Sequence, residues 1–290
     1  MTRRDDNLQA RLDLDLAELK LPEIAKGYRE VLDEVARKGS SMLELLAVLF
    51  GMEQAARQQR ALERRLREAR LPKQKIVAEY DFKFPQRIPK AAIMRLFDCD
   101  FIEQHRCAVL IGPTGTGKTH LLTALGYTAA ERGYSVRYAR VVDMINQLTA
   151  AQINGLLGNT LKSYVRPSLL LLDELGYLPI DKRGADLLFQ VVAARYEVGS
   201  IVLTTNRPFG ECGKLFDVDN TLATALIDRL MHHGGVLLQS KCDKPSARIS
   251  YNFEWRFSHV QENPESLHSS GEGRHSSAPS PRTHTRFGPV

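Results

Sequence analysis

The sequence predicts an α/β fold in which helices cover both faces of a parallel sheet, preceded by a small all-helical region. From Cys107 onward, short apolar runs typical of buried strands alternate with segments whose apolar residues recur at helical spacing. A glycine-rich string at residues 112–119 follows the first of these runs, and an acidic pair at residues 173–174 follows four leucines. Both strings sit where the strands of a parallel sheet end.

Residues 1–75 are predicted to form a helical N-terminal domain. Apolar residues recur every three or four positions over residues 21–35, which places them on one face of a helix that Gly39 ends. Ser41-Met42-Leu43-Glu44 matches a capping box and opens a second helix. The apolar pattern of that helix continues until Leu71-Pro72 ends it.

Residues 76–106 are expected to connect this domain to the next one. Tyr80, Phe82 and Phe84 alternate with charged residues, which suits a short extended segment packed on the following domain. A helix is predicted over residues 90–97. It leads into the α/β part.

Residues 107–257 are expected to form the α/β domain. Strands are predicted at residues 107–111, 135–142, 168–172, 200–206 and 236–239, and helices at residues 121–129, 143–148, 152–164, 184–196 and 220–232. Residues 258–290 are rich in Ser, Pro, Gly, His and Arg and have little apolar content, so this tail is predicted to be disordered.

Composition restricts the class of protein. A chain of 290 residues that is 43% hydrophobic and 26% charged is typical of a globular protein. The four cysteines form no C-x-x-C pair, so reduced thiols are expected rather than a metal site. No signal-peptide pattern and no apolar stretch of membrane-spanning length is present, so we expect a cytoplasmic protein without a membrane partner. A net charge of +6 favours a polyanionic partner.

The glycine-rich string fits G-x-x-x-x-G-K-[ST] between a strand and a helix, which predicts a phosphate-binding loop. The glycines allow backbone N–H groups to curl around phosphates, and the following helix adds its positive N-terminal end. Lys118 is expected to reach the β- and γ-phosphates, and Thr119 to give its hydroxyl to Mg²⁺. The sequence therefore predicts a protein that binds a nucleoside triphosphate. The predicted loop consists of Gly112, Pro113, Thr114, Gly115, Thr116, Gly117, Lys118 and Thr119.

The acidic pair supplies the other half of a P-loop ATPase site. Asp173 is expected to hold Mg²⁺, mostly through the water shell of that ion. Glu174 points to the opposite face of the strand and is expected to accept a proton from the attacking water. Asn206, at the end of a later strand, has two interpretations. It either orients the water or contacts the γ-phosphate, or it caps the turn before Pro208.

The transferred phosphoryl group needs more positive charge than these residues bring, and a neighbouring subunit commonly supplies an arginine. Arg229 is the first choice and Arg248 the second. Either arginine could instead form a surface ion pair, as Arg229 would with the adjacent Asp228.

A run of basic residues between positions 57 and 75 has two interpretations: a solvated helix face, or a surface for a polyanion. Only Glu63 and Glu68 offset it. The run consists of Arg57, Arg60, Arg64, Arg65, Arg67, Arg70, Lys73 and Lys75.

Together these motifs resemble an AAA+ ATPase of the DnaC-like group, and more closely the IstB family, the helper ATPases of insertion-sequence transposition. The resemblance rests on the phosphate loop, on the string Asp173-Glu174-Leu175-Gly176-Tyr177-Leu178-Pro179, and on segments 184–192, 204–206 and 226–230. It extends from about residue 19 to residue 249 and leaves out the tail.

The resemblance implies an AAA+ fold with a five-stranded parallel sheet, use of ATP and Mg²⁺, and self-assembly into a homo-oligomer on duplex DNA. It also implies that the protein helps a transposase of the same element to engage target DNA. Residues 57–75 then become a surface that contacts DNA phosphates with little sequence preference.

For single residues, the resemblance adds His120 to the nucleotide-binding set. It implies that Asn206 is a sensor, that Arg229 is a finger acting in trans, and that Arg248 is a second sensor. The string Pro245-Ser246-Ala247-Arg248 departs from the Glu-Ser-Tyr-Arg usual in similar proteins, which leaves the role of Arg248 open.

Two other functions share parts of this pattern. A DnaC-like loader of a replicative helicase would carry the same catalytic residues and differ in its N-terminal partner surface. A phosphotransferase acting on a small metabolite would need a substrate pocket and a lid, whereas this chain devotes its extra length to basic helices.

Overall fold

A parallel sheet forms the centre of the computed structural model, which describes residues 3–82, 90–177, 179–207, 224–226, 228–230 and 235–237. Its strands are β1 (Ala108–Ile111), β2 (Val136–Arg140), β3 (Leu169–Leu175), β4 (Ser200–Thr205) and the three-residue β5 (Gly235–Leu237). They are arranged in the order β2-β3-β4-β1-β5, and every pairing is parallel. The predicted α/β architecture with a parallel sheet is confirmed.

Helices cover both faces of this sheet. They are α4 (Lys90–Phe97), α5 (Asp100–Glu103), α6 (Lys118–Glu131), α7 (Val141–Ile153), α8 (Leu157–Val165) and α9 (Lys182–Arg195). Strand β3 shows the arrangement residue by residue, since successive side chains of a strand point to opposite faces. Leu169 and Leu171 pack with α4 to α6, whereas Leu170 and Leu172 pack with α7 to α9. All four leucines are completely buried, as the sequence predicted.

The boundary between β2 and α7 differs from the prediction. Val141 and Val142 extend the apolar run of the strand, and their β-branched side chains favour a strand. In the structure the strand ends at Arg140, and Val141 opens α7 with its side chain buried in the core. Burial against the sheet therefore outweighs local preference at this position.

The N-terminal region consists of α1 (Arg3–Glu18), α2 (Pro22–Lys38) and α3 (Met42–Ala69). Gly39 ends α2 in the left-handed conformation, with φ of 66°, and its N–H donates to the carbonyl of Val35. Ser41 and Glu44 form both hydrogen bonds of the predicted capping box at the start of α3. These local signals are confirmed.

Helix α3 packs against two different parts of the protein. Near its start, Leu49 packs on a small cluster that includes Ile24 and Tyr28 of α2. Near its end, Leu62 and Leu66 pack on the cluster formed by α4 to α6. One continuous helix thus joins the N-terminal helices to the sheet, and the boundary at residue 75 stays a prediction.

The segment after α3 was expected to be extended. The structure instead has a short 3-10 turn at Val77–Glu79, and Tyr80 and Phe82 follow it. Both rings pack on the cluster formed by α4 to α6, as the alternating aromatics suggested.

Several predicted features lie outside the described residues. They are the tail 258–290, Phe84, Arg248 and most of the helix expected over residues 220–232, of which residues 224–226 and 228–230 are helical. Within the described ranges, no helix is both long enough and apolar enough to span a bilayer.

Candidate nucleotide-binding site

The phosphate loop joins β1 to α6. The N–H of Gly112 donates to the carbonyl of Thr205 at 3.1 Å, which fixes the start of the loop to β4. Gly115 and Gly117 have φ angles of 84° and 77°, a region in which other residues are strained. The hydroxyl of Thr116 donates to the carbonyl of Pro113 at 2.9 Å. The glycines therefore stand where the backbone turns, and the loop is held from within.

A pocket of about 320 Å³ opens beside this loop at the carboxyl ends of β1, β3 and β4. It brings together three separate parts of the predicted site. These are five loop residues (Thr114, Gly115, Gly117, Lys118 and Thr119), the acidic pair Asp173 and Glu174, and Asn206. Since the carboxyl ends of parallel strands form the usual ligand edge of an α/β sheet, the pocket lies where the fold favours binding.

Lys118 carries the positive charge of the pocket. Its Nζ donates to the carbonyls of Gly112 and Pro113, at 2.7 and 2.8 Å. Burial lowers the pKa of Lys118, while Asp173 and Glu174 act in the opposite direction. The ammonium group is thus held at the loop within the field of both carboxylates.

Asp173 is buried, with 1% of its surface exposed, and its two carboxylate oxygens have different partners. Tyr138 of β2 donates its hydroxyl to Oδ2 at 3.0 Å, and Thr204 of β4 donates to Oδ1. Burial, followed by the charge of Asp173, raises the pKa of Tyr138, so this hydroxyl keeps its proton. Two neutral donors from the flanking strands therefore hold the carboxylate in place.

Glu174 adopts an unusual backbone conformation. Its φ is 64°, and the pairing of β3 with β4 shifts register between Leu172 and Leu175. The resulting bulge leaves the Glu174 side chain exposed between the buried Asp173 and Leu175. Its N–H donates to the hydroxyl of Thr204 at 2.9 Å. Bulges of this kind re-aim a side chain, and strained backbone concentrates at functional sites.

Tyr80 packs against the phosphate loop and forms a hydrogen bond with it. Its hydroxyl donates to the carbonyl of Thr116 at 2.8 Å. A Cβ placed on Gly117 would come within 2.5 Å of the Tyr80 ring, so only glycine allows this approach. The sequence pointed to the packing of Tyr80 on the next domain, but it did not reveal the contact with the loop.

His120 faces the same connecting segment and is not among the residues that line the pocket. Its Nε2 lies 3.0 Å from the carbonyl oxygen of Ile76, and the centroids of the His120 and Tyr80 rings are 5.6 Å apart in an edge-to-face arrangement. His120 thus contacts Tyr80, which in turn holds the phosphate loop.

Arg229 lies at the other end of the sheet from its own phosphate loop. Its guanidinium stacks over the ring of Phe189, 4.6 Å from the centroid, and Nη1 donates to the carbonyl of Ala225 at 3.4 Å. It shares a small cleft with Cys107 and Ile201, which lie at the amino ends of β1 and β4. The four residues of β1 separate this cleft from the loop by about 13 Å. The alternative of a surface ion pair with Asp228 is not observed, since these two described residues form no ion pair with each other.

The basic run divides into two groups. Arg57 and Arg60 bind the Oε1 of Glu53 at 3.3 and 3.2 Å, and Arg65 donates to the carbonyl of Ala130 at 2.9 Å. The remaining five are exposed and form no ion pair within the described residues: Arg64, Arg67, Arg70, Lys73 and Lys75. Three members of the run therefore have partners inside the protein, and both interpretations of the run stay predictions.

Glu53 explains why two arginines are engaged. Its buried carboxylate accepts the N–H groups of Glu23 and Ile24 in the first turn of α2. Burial raises the pKa of Glu53, but these two donors together with Arg57 and Arg60 outweigh it, so the pKa is lowered. The charged Glu53 ties α3 to the start of α2.

A phosphate loop follows β1, and an acidic pair lies on β3, with β4 between these two parallel strands. This arrangement defines an ATP-binding P-loop protein of the AAA+ class. The comparison with known families then narrows the class. The chain belongs to the family described as IstB-like ATP binding protein, which matches residues 14–249. The resemblance drawn from the motifs is confirmed.

Relatives agree with this membership. The chain is 36% identical over 226 residues to the putative ATP-binding protein of insertion sequence IS21 from Pseudomonas aeruginosa, covering 78% of this chain and 85% of that one. It is also 36% identical over 231 residues to the corresponding protein of IS232 from Bacillus thuringiensis, covering 80% and 92%. Among solved structures, the crystal structure of DnaI matches with a TM-score of 0.50 and 17% identity, over 57% of this chain and 90% of that one. That likeness concerns the fold alone.

Proposed function

We propose that this protein is a helper ATPase of insertion-sequence transposition that assembles on duplex DNA and recruits or activates the transposase of its element. The observation that carries the proposal is the pocket in which Lys118, Asp173 and Glu174 meet, in a chain whose relatives are insertion-sequence proteins.

In this proposal the loop N–H groups and Lys118 bind the phosphates of ATP. Thr119 and Asp173 would hold Mg²⁺, since both line the pocket and offer the oxygen ligands that this ion prefers. When bound, the ion would neutralise charge on the β- and γ-phosphates. Glu174 accepts the proton of the attacking water, and Asn206 orients that water.

The position of Arg229 supports an action in trans. An arginine about 13 Å from its own phosphate loop does not reach a phosphate bound there. Its side chain, which rests on Phe189, is available to the site of an adjoining subunit. We therefore assign Arg229 to the neighbour's γ-phosphate, which makes hydrolysis dependent on assembly.

The five exposed basic residues from Arg64 to Lys75 support binding to the DNA backbone. Contacts of this kind release counterions, so the affinity should fall steeply with salt and depend little on sequence.

An apolar stripe near the start of α3 supports a protein partner. Leu43, Leu46 and Phe50, spaced by three and four residues, are 77%, 46% and 58% exposed. Contiguous exposed apolar residues are typical of protein interaction sites. The proposed contact between subunits, made through Arg229, lies in the ATPase region. The stripe on α3 is therefore not needed for self-assembly, and we assign it to the transposase.

The deciding experiment images the purified protein with duplex DNA of arbitrary sequence, with and without a non-hydrolysable ATP analogue. Assemblies on DNA that require the analogue and vanish in Lys118→Ala support the proposal. A protein that binds neither ATP nor DNA would refute it.

A helicase loader would share this chemistry, so the partner needs a separate test. Binding to the transposase encoded beside this gene, weakened by Phe50→Arg, is expected. Capture of a replicative helicase instead would favour the loader.

A further inference from the structure

A second, strongly basic pocket lies at the edge of the sheet. It has a volume of about 190 Å³ and is flanked by β2, the C-terminal half of α3 and the end of α8. Four cationic side chains line it, Arg65, Arg137, Lys162 and Arg166, against one carboxylate, Glu68. None of them lines the nucleotide pocket.

Arg137 is the unusual member of this group. It is only 8% exposed, yet in the described part of the chain its side chain forms no ion pair and no hydrogen bond, and its Nε is buried without a partner. Its neighbour is the ring of Tyr164, 5.2 Å from the guanidinium carbon. Buried charges are normally paired, so a guanidinium left open toward a basic pocket points to an anion as its partner.

The end of α8 does not cancel this positive charge. The last carbonyls of a helix carry partial negative charge, which would favour the cations of the pocket. Here Arg195, 1% exposed, donates to the carbonyls of Tyr164, Val165 and Pro167 at 2.9, 2.8 and 2.7 Å. A second guanidinium therefore neutralises this helix end and leaves the pocket cations uncompensated.

We propose that this pocket binds a phosphate group of the DNA backbone, an inference that rests on the proposed DNA-binding function. Arg65 lies on the same helix as the exposed Arg64 and Arg67, so the pocket continues the basic surface of α3 around the edge of the sheet. Guanidinium groups bind phosphate through paired N–H groups. The pocket is smaller than the usual sites for drug-sized ligands, and the Tyr164 ring is buried, which disfavours a free nucleotide.

The test measures binding of a fluorescent duplex of arbitrary sequence to the full chain over a range of salt concentrations, with a non-hydrolysable ATP analogue present. Arg137→Met keeps the length of the side chain and removes its charge. We expect about tenfold weaker binding at 0.15 M salt, because a charge-assisted contact is lost. The slope of the logarithm of the binding constant against the logarithm of the salt concentration should become smaller in magnitude by about 0.9. Lys162→Glu with Arg166→Glu should weaken binding further.

The melting temperature separates this role from a structural one. Arg137 has no ion-pair partner in the described part of the chain, so Arg137→Met removes only its contact with the Tyr164 ring and should change the melting temperature little. Lys182→Glu is the control for the charge reversals at Lys162 and Arg166. It reverses the charge of an exposed lysine at the start of α9, outside the pocket, and should bind DNA like the parent.

If the parent binds DNA and Arg137→Met binds with the same affinity and slope, the pocket assignment is overturned and the proposed function stands. If inorganic phosphate at constant ionic strength raises the melting temperature of the parent but not of Arg137→Met, while DNA binding is equal, the pocket takes a free anion and the DNA assignment falls. A parent that binds no DNA overturns both proposals.

Discussion

Thr204 offers the sharpest test of how the acidic pair is held. Its hydroxyl donates to Oδ1 of Asp173 and accepts the N–H of Glu174, so one buried atom connects both acids to β4. Thr204→Val keeps the shape of the side chain and removes both hydrogen bonds. Leaving such buried groups unsatisfied costs about 1–3 kcal/mol each.

This cost is similar to the strain in the bulge. The left-handed conformation of Glu174 costs on the order of 1–3 kcal/mol, which the bond to Thr204 helps to offset. Without that bond, Glu174 is expected to leave its position above the pocket. A misplacement worth about 1.4–2.8 kcal/mol at the transition state lowers the rate roughly 10- to 100-fold.

The assay separates hydrolysis from binding. Phosphate release at saturating ATP and Mg²⁺, with duplex DNA present, should show the lower kcat of Thr204→Val, whereas calorimetry should give an ATP affinity within about twofold of the parent, because the phosphate loop is untouched. Thr204→Ser keeps the hydroxyl and should restore most of the rate. A folded Thr204→Val protein with the parent kcat would refute this reasoning.

Three further predictions concern single contacts. Glu174→Gln should bind ATP but hydrolyse it at least 100-fold more slowly, leaving long-lived complexes on DNA; turnover at the parent rate would exclude Glu174 as the base. Arg229→Ala should bind ATP yet be inactive alone, and mixing it with Lys118→Ala should restore part of the phosphate release; no rescue would argue against a finger in trans. Tyr80→Phe removes the hydrogen bond to Thr116 and should weaken ATP binding about 2- to 10-fold by calorimetry, whereas an unchanged affinity would contradict the supporting role.

The features that the sequence predicted well have local signatures. The capping box at Ser41 and Glu44 spans four residues, and the phosphate loop spans eight. Strand β3 could be predicted because four consecutive leucines suit a strand buried on both faces. In each case the physical cause acts between near neighbours, so the pattern appears in a short window.

The contacts that support the site have no such signature. Thr204 lies 31 residues from Asp173, and Tyr80 lies 36 residues from Thr116. Whether Thr204 or Thr205 faces the acidic pair depends on the register of β4 against β3, and a shift of one residue would exchange them. The bulge at Glu174 changes that register locally, which no residue pattern indicates.

The end of α3 lies between the basic pocket and the helix that begins at the phosphate loop. Ala69 is completely buried, and a Cβ on Gly126 of α6 would come within 2.7 Å of methyl carbons of both Leu71 and Leu171. The end of α3 and the residues that follow it therefore pack closely on α6. Helix α6 begins at Lys118, so a phosphate bound at Arg65 of α3 and a phosphate bound at Lys118 would contact two helices that pack on each other. If DNA binds as proposed, we expect this contact to couple DNA binding to the ATP site. The rate of phosphate release with and without duplex DNA tests that expectation.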